Sequence, residues 1–297
     1  MFSIRTIPVK YIIFLTGILT LNFFFLTQNA VGSRKSDRYF GSLQDRLIKD
    51  GFDKDRILAL YKRPEVYFEI KAVSRFLVHR EAELNYDQFA SEKSIRDALK
   101  YMVHHKEALK RAEKTYGVDK EIITAIILVE TRLGVSVGGP LVLNTLSTTA
   151  ALADADIREM FWNKVSKSSR LTRKQFDRWV KIKSAWAYKE LKAFLEYTAE
   201  EHLDPVDIVG SYSGAMGIAQ FMPSNILLYA EDGDYNGRTN LFDHADAIIS
   251  IGNYLKHYGW HPGINGEEAY HVIYHYNHSR QYVDTILKVS AILKSKT

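Results

Sequence analysis

Residues 122–129 read Ile-Ile-Thr-Ala-Ile-Ile-Leu-Val and run straight into Glu130, so a segment that is apolar almost all round ends on an ionisable side chain. A helix without a polar face belongs inside a core. Asp119 stands where an N-cap is needed, Glu121 suits the first turn and Gly134 follows the last, so the spacing predicts a helix from Lys120 to Leu133. Glu130 then lies one turn beyond Ile126 and Ile127. A carboxyl held there is desolvated, which disfavours its charged form and suits it to donate a proton near neutral pH. A helix-end glutamate in a structural ion pair, or exposed to solvent, is the plainer alternative, and this segment alone leaves it open.

The rest of the 297 residues surrounds that segment with more helix. At 46% hydrophobic and 25% charged the chain can bury a sizeable core in one or two domains, which excludes disorder. Leu43, Leu47 and Ile48 share a helical face, as do Ile57, Leu58 and Tyr61; Ile95, Leu99, Met102, Val103 and Leu109 continue the period. Strand signals are scarce. Residues 1–32 differ, with Arg5 and Lys10 before the apolar run Tyr11 to Leu26 and small residues after it, the pattern of a signal peptide or uncleaved N-terminal anchor. The expected organisation is an export segment at 1–32, a helical N-terminal region at 33–115 and a catalytic domain at 116–297. There is no cysteine, so disulfides, thiolate metal sites and a cysteine nucleophile are excluded. The net charge of +5 is too small to point to nucleic acid as a partner. Between Arg158 and Lys192, inside a basic insertion at about 155–192, eleven Lys or Arg face three acids, with Trp162, Trp179 and Trp186 among them. Such a segment is either a grip for an anionic glycan or a solvated helical hairpin, turning at Ser166 to Ser169, whose tryptophans face the core.

Three further segments carry chemistry. Gly210 to Ser224 holds three glycines within eight residues, backbone that must turn tightly or approach something closely, together with Ser211 and Gln220, neutral groups that can position a sugar. Asp232-Gly-Asp-Tyr-Asn-Gly-Arg-Thr-Asn-Leu-Phe-Asp243 reproduces a twelve-position calcium loop of the EF-hand type. Its ligands would be Asp232, Asp234, Asn236, the carbonyl of Arg238, Asn240 and Asp243, with helical segments before and after it. Tyr274 to Tyr282 is dense in polar and aromatic residues ahead of a last helical run, Val283 to Leu293. His271 just before it, and His275 and His278 within it, lack a convincing ligand pattern and read as surface histidines among aromatics.

Taken in order, Glu130-Thr-Arg-Leu-Gly134, Gly210 to Ser224, the calcium-type loop and Tyr276-Asn277 resemble the membrane-bound lytic transglycosylase B family, over roughly Tyr116 to Leu293. The resemblance implies a mainly α, lysozyme-like catalytic fold with one EF-hand-like loop and little β structure. It implies non-hydrolytic cleavage of peptidoglycan between N-acetylmuramic acid and N-acetylglucosamine, in the periplasm or anchored to the inner membrane. Glu130 matches the catalytic acid and base, Ser211 and Gln220 match sugar-contacting residues, and Tyr276 and Asn277 match the C-terminal pair near the site. The implied cofactor is a structural Ca2+, with no organic cofactor, and the implied partner is the peptidoglycan strand, met by a monomer. One departure stands out. Where the family carries Tyr-Pro-Arg-Arg, Ala153 to Arg158 reads Ala-Asp-Ala-Asp-Ile-Arg and leads into the basic insertion.

Most glycosidases need two carboxyl groups. The resemblance implies a mechanism for one: Glu130 protonates the glycosidic oxygen, the N-acetyl group of the substrate stabilises the cationic centre, and Glu130 then accepts the C6 hydroxyl proton to leave a 1,6-anhydro sugar. A hydrolytic muramidase using Asp154, Asp156 or another acid as base, and a non-catalytic calcium-stabilised peptidoglycan-binding protein, are the alternatives.

Overall fold

The computed structural model describes residues 38–79, 85–167, 169 and 171–297, so the expected export segment lies outside the described residues. The chain divides into two compact units between Phe68 and Glu69. In the first, α1 (38–49) and α2 (Lys54–Tyr61) are joined by a short turn, and Asp53 caps α2 by accepting the Arg56 N–H at 2.8 Å. Leu43, Leu47 and Ile57 are buried as their spacing predicts, and Phe40 meets Tyr61 edge-on at 5.3 Å.

The second unit holds α3 (Ile70–Val78), a 3-10 turn (Asp87–Ala90), α4 (Glu92–His104), α5 (Lys106–Tyr116), α6 (Lys120–Thr131), α7 (Val142–Ala151), α8 (Ala155–Val165), α9 (Arg173–Glu200), α10 (Pro223–Tyr229), α11 (His244–His257), α12 (Gly266–Tyr276) and α13 (Arg280–Lys294). Among the described residues there is no sheet, only isolated antiparallel bridges, and no helix long and apolar enough to cross a membrane. Residues 69–115, part of the helical N-terminal region expected to pack on the catalytic part, share a unit with the helices that follow.

Helix α6 is the apolar segment with which the sequence is most insistent, and it lies in the core, packed against α13, α4, α5 and α11. Ile123, Ala125, Ile126 and Ile127 are fully buried, and truncating any one of the isoleucines to alanine would cost about 2–5 kcal/mol. The helix stops at Thr131, two residues before the expected end, because Arg132 and Leu133 adopt left-handed backbone with φ of 50° and 64°. The Leu133 N–H returns to the Ile127 carbonyl at 3.2 Å, closing the end in Schellman fashion. Thr131 Oγ1 accepts the Gly134 N–H at 3.0 Å and donates to the Ile218 carbonyl at 3.1 Å, tying the end of α6 to the glycine-rich segment. Asp119 precedes α6 without a side-chain cap bond; its carboxylate pairs instead with Lys294 at 3.1 Å.

A second layer is built on α7, which packs against α9 and α3. The basic insertion folds as the hairpin of α8 and α9, and a capping box between Thr172 and Gln175 starts the long α9. Its tryptophans are half-buried rather than deep in the core, Trp162 lying 5.0 Å from Phe176. The period read through Met102 to Leu109 breaks between α4 and α5, at His105, which leaves Val103 77% exposed although the spacing places it inward.

Candidate active site

Glu130 stands in the last turn of α6, half-buried, at the wall of a cavity of about 440 Å³. The same cavity is lined by Ser211, Gln220, Tyr276 and Asn277, so every residue expected to bind sugar comes together around the expected acid. Backbone constraints place each. Gly210 approaches the Ala215 carbonyl so closely that an added Cβ would sit 2.4 Å from its oxygen, and the Ser211 N–H donates to that carbonyl at 2.8 Å. The Ser211 hydroxyl accepts the Ala215 N–H at 3.0 Å and the Ser213 N–H at 3.3 Å, holding the turn shut. Gly217, with φ of +73°, lies against Leu241, where a Cβ would meet backbone at 2.5 Å. Gln220 takes left-handed backbone with φ of 49°, and its Nε2 donates to the Gly217 carbonyl at 2.9 Å and the Val137 carbonyl at 3.2 Å.

The opposite wall comes from the junction of α12 and α13. Tyr276 donates to the Ala219 carbonyl at 2.5 Å, and its ring lies nearly parallel to that of Tyr282, centroids 6.4 Å apart. Asn277 ends α12 in extended backbone, and among the described residues its side-chain amide makes no hydrogen bond within the protein. Tyr282, which is 1% exposed, donates its hydroxyl to Glu130 Oε1 at 2.7 Å. Burial first, and then the charge of Glu130, push the Tyr276 and Tyr282 hydroxyls well above the ordinary phenol pKa. Both therefore stay protonated and act as donors.

Glu130 is the sole carboxylic acid among the described residues that line this cavity. Asp154 caps α8, accepting the Asp156 and Ile157 N–H groups at 2.9 and 3.2 Å, and neither Asp154 nor Asp156 is part of the wall. His275 stacks on Tyr258 at 4.5 Å and His278 meets Tyr274 edge-on at 5.0 Å, so these histidines pack among aromatics. Sequence reasoning missed Phe76, His79, Tyr86, Gln88, Tyr212 and Tyr282 as wall residues. Tyr282 closes the same polar and aromatic run as Tyr276 and could have been found there; nothing in the spacing of 76–89 distinguishes its residues from an ordinary helical edge.

The acidic loop lies between α10 and α11. Asp232, Asp234 and Asp246 bring one carboxylate oxygen each within 4.8 Å of one another. Asp246 is fully buried and accepts the Gly233 N–H at 2.8 Å and the Asn240 N–H at 2.7 Å. Burial raises its pKa in spite of those bonds. Asp243 stands apart from the cluster: its carboxylate caps α11 through the Ala245 and Asp246 N–H groups at 2.7 and 3.4 Å. Asn236 accepts the Arg238 N–H at 2.9 Å, and Asn240 accepts the Phe242 N–H at 3.1 Å. Arg111 of α5 donates to the Gly233 carbonyl at 2.7 Å, bracing the loop against the core.

A profile described as the transglycosylase SLT domain matches residues 35–268. The chain belongs to that family. Membrane-bound lytic murein transglycosylase B of Escherichia coli K12 is 34% identical over 176 residues; the match spans 59% of this chain and 41% of that protein. Soluble lytic transglycosylase SltB1 from Pseudomonas aeruginosa superposes with a TM-score of 0.67 at 25% identity, covering 91% of this chain and 99% of the other. The E. coli lytic transglycosylase Slt35, in a structure described as a complex with calcium, gives 0.67 at 24% identity, covering 88% and 93%. The fold is accordingly the mainly helical, lysozyme-like one of lytic transglycosylases, as the motifs imply.

Proposed function

We propose that this protein is a peptidoglycan lytic transglycosylase that cuts the β-1,4 bond between N-acetylmuramic acid and N-acetylglucosamine with Glu130 as acid and then base. The observation that carries the reading is Glu130, the sole carboxyl among the described residues that line the cleft, with one oxygen fixed by the Tyr282 hydroxyl at 2.7 Å. A hydrolytic muramidase needs a second group to activate water, and the acids considered for it, Asp154 and Asp156, are not in the wall. In the proposed reaction Glu130 gives its proton to the glycosidic oxygen, and the substrate's own N-acetyl group shields the cationic C1. Glu130 then takes the proton of the muramyl C6 hydroxyl as that oxygen closes on C1, which balances the proton and releases a 1,6-anhydro sugar. Ser211, Gln220, Tyr276 and Asn277 position the sugars. Family membership and the murein transglycosylase name of the E. coli relative support the same substrate. Mass spectrometry of the fragments released from purified peptidoglycan tests it. Products lighter by one water than hydrolysis would give are expected; hydrated ends throughout would establish a muramidase, and no release at all would leave only binding.

The donor chemistry of the acidic loop fits a hard divalent cation, since three carboxylates, one of them fully buried, converge without a basic partner among the described residues. The calcium bound by Slt35 supports the same reading. Asp232, Asp234 and Asp246 would hold Ca2+, with Asn236 and the carbonyl of Arg238 completing the shell, and the ion would steady the loop between α10 and α11 without joining the chemistry. The export reading of residues 1–32, and with it a periplasmic or membrane-anchored location, is likewise proposed from the sequence and the membrane-bound relative.

A further inference from the structure

The cleft does not end at the sugar-positioning residues. From the Ser211 turn a strip of aromatic rings runs across the end of α3 to α9. His79 and Phe76 lie 5.2 and 6.2 Å from Tyr212, and Phe76 in turn meets Trp179 at 5.4 Å and Trp186 at 5.7 Å. Tyr212, His79 and Phe76 line the cavity itself, so the strip is continuous with the wall that holds Glu130. At its far end the ammonium of Lys183 sits 5.0 Å from the Phe76 ring centre and 4.8 Å from that of Trp186.

Lys183 is half-buried where Lys174, Arg178, Lys181 and Lys189 of the same insertion are exposed. Exposed Arg173 is matched by Glu159 at 2.6 Å and Asp177 at 3.0 Å. Among the described residues Lys183 makes no ion pair, and burial alone draws its pKa below that of a free lysine. Two aromatic faces supply part of the lost hydration through cation–π attraction. They do not satisfy its three N–H donors. An ammonium left half-desolvated and without a counter-charge gains most from a ligand that brings a carboxylate, and pairing would restore its preference for the charged form.

We propose that Lys183, on its Phe76 and Trp186 platform, binds a carboxylate of the peptide branch that muramic acid carries, and so makes the enzyme prefer stem-bearing glycan over bare glycan. The proposal rests on the peptidoglycan reading given above. In stem-bearing glycan the lactyl carboxyl of each muramic acid is tied up as an amide, so the carboxylates on the strand belong to the peptide; bare glycan keeps only a lactyl carboxylate close to the ring, whereas Lys183 lies behind the wall residue Phe76, within reach of the longer branch. Trp179 and Trp186 act here as positioning residues for the Lys183 stem. Both are half-buried and meet the wall residue Phe76.

The test compares glycan oligosaccharides that keep their stem peptides with the same oligosaccharides stripped by an amidase, which carry a lactyl carboxylate in place of the stem, and with stem-bearing chains whose peptide carboxylates have been amidated, using the full protein. Titration calorimetry gives the ratios of the dissociation constants, and cleavage assays give the ratios of kcat/KM. In Lys183→Met, which keeps the apolar stem, the preference for stem-bearing chains should shrink about fivefold to tenfold, mainly through KM, and Lys183→Arg should restore most of it. Raising salt should erode the preference of the wild type and leave that of Lys183→Met unmoved. An unchanged ratio in Lys183→Met, or an equal loss on both ligands with a lowered melting temperature, overturns the proposal, since a structural role cannot tell the ligands apart. Stem-selective binding without any cleavage by the wild type would sink the transglycosylase reading and leave this one standing; cleavage with no Lys183-dependent selectivity would do the reverse.

Discussion

Tyr282 reaches back across 152 positions of sequence to donate its hydroxyl to Glu130 at 2.7 Å, joining the start of α13 to the end of α6. The bond fixes the carboxyl that the proposed reaction needs to hold still while protons pass through it. Tyr282→Phe keeps the ring stacked on Tyr276 and removes only the donor. A charge-assisted bond of this kind contributes about 1.5–3 kcal/mol, so kcat on purified peptidoglycan should fall about tenfold to a hundredfold with little change in KM. A kcat equal to the wild type's would show that the hydroxyl serves packing alone.

Glu130→Gln tests the chemistry itself. The amide fits the same space, so the melting temperature should stay close to that of the wild type, while turnover should drop by about a factor of a hundred to ten thousand or more because no proton can be given or retaken. Turnover near the wild-type rate in a folded Glu130→Gln protein would remove Glu130 from the reaction.

Much of this site is legible in the sequence because its elements are held by backbone rules that sequence records. An all-apolar helix must be buried, so α6 and its terminal glutamate could be placed; glycines that pack against Ala215 and Leu241 leave their trace as Gly210 and Gly217. What the sequence hides is set by long-range contact. Phe76 and Tyr212 are 136 positions apart and meet only in the fold, and the third carboxylate of the acidic cluster, Asp246, sits three residues beyond the position a twelve-residue loop template assigns to Asp243. Asp243 itself caps α11, a local use that a twelve-residue template does not register.

Ser211 and Asn277 should separate stability from binding. The Ser211 hydroxyl closes its own turn through the Ala215 and Ser213 N–H groups, so Ser211→Ala should lower both the melting temperature, by the equivalent of about 1–2 kcal/mol, and activity. The Asn277 side chain makes no hydrogen bond within the protein among the described residues. Asn277→Ala should therefore leave melting unchanged and lower kcat/KM by about tenfold, if its amide meets the substrate. Loss of stability in Asn277→Ala with normal kinetics would remove it from the sugar site.

His105 gives the protein a pH dependence on the acid side. It stacks on His244 at 4.3 Å, and burial, followed by the neighbouring charges of His244 and His104, holds its pKa down at about 4. The unfolded imidazole titrates near 6.5, so between about 4 and 6.5 the unfolded chain binds a proton that the folded chain refuses. Stability is thus full above pH 6.5 and is lost as pH falls toward 4, by about 1–2 kcal/mol once the exposed part of the ring is discounted. His105→Gln should flatten that slope when melting is followed from pH 7.5 to 5 at fixed calcium. Identical slopes in the two proteins would show that His105 protonates freely in the fold.

The acidic loop allows a choice between two aspartates. If Asp246 closes the cation shell, Asp246→Asn should abolish the dependence of melting temperature on calcium, because it removes charge from the buried member of the cluster. Asp243→Asn should keep that dependence, since asparagine still caps a helix, and Asp243→Ala should cost about 1 kcal/mol at every calcium concentration through loss of the cap. In the wild type, calcium at a hundredfold excess over Kd should add about 2.7 kcal/mol to stability. The ion steadies the loop without touching the glycosidic bond in this scheme, so freshly chelated protein that remains folded should still cut peptidoglycan. Calcium dependence that vanishes in Asp243→Asn and survives in Asp246→Asn would restore the twelve-residue loop and overturn the assignment made from the geometry; a melting curve indifferent to calcium in the wild type would reduce the loop to a turn.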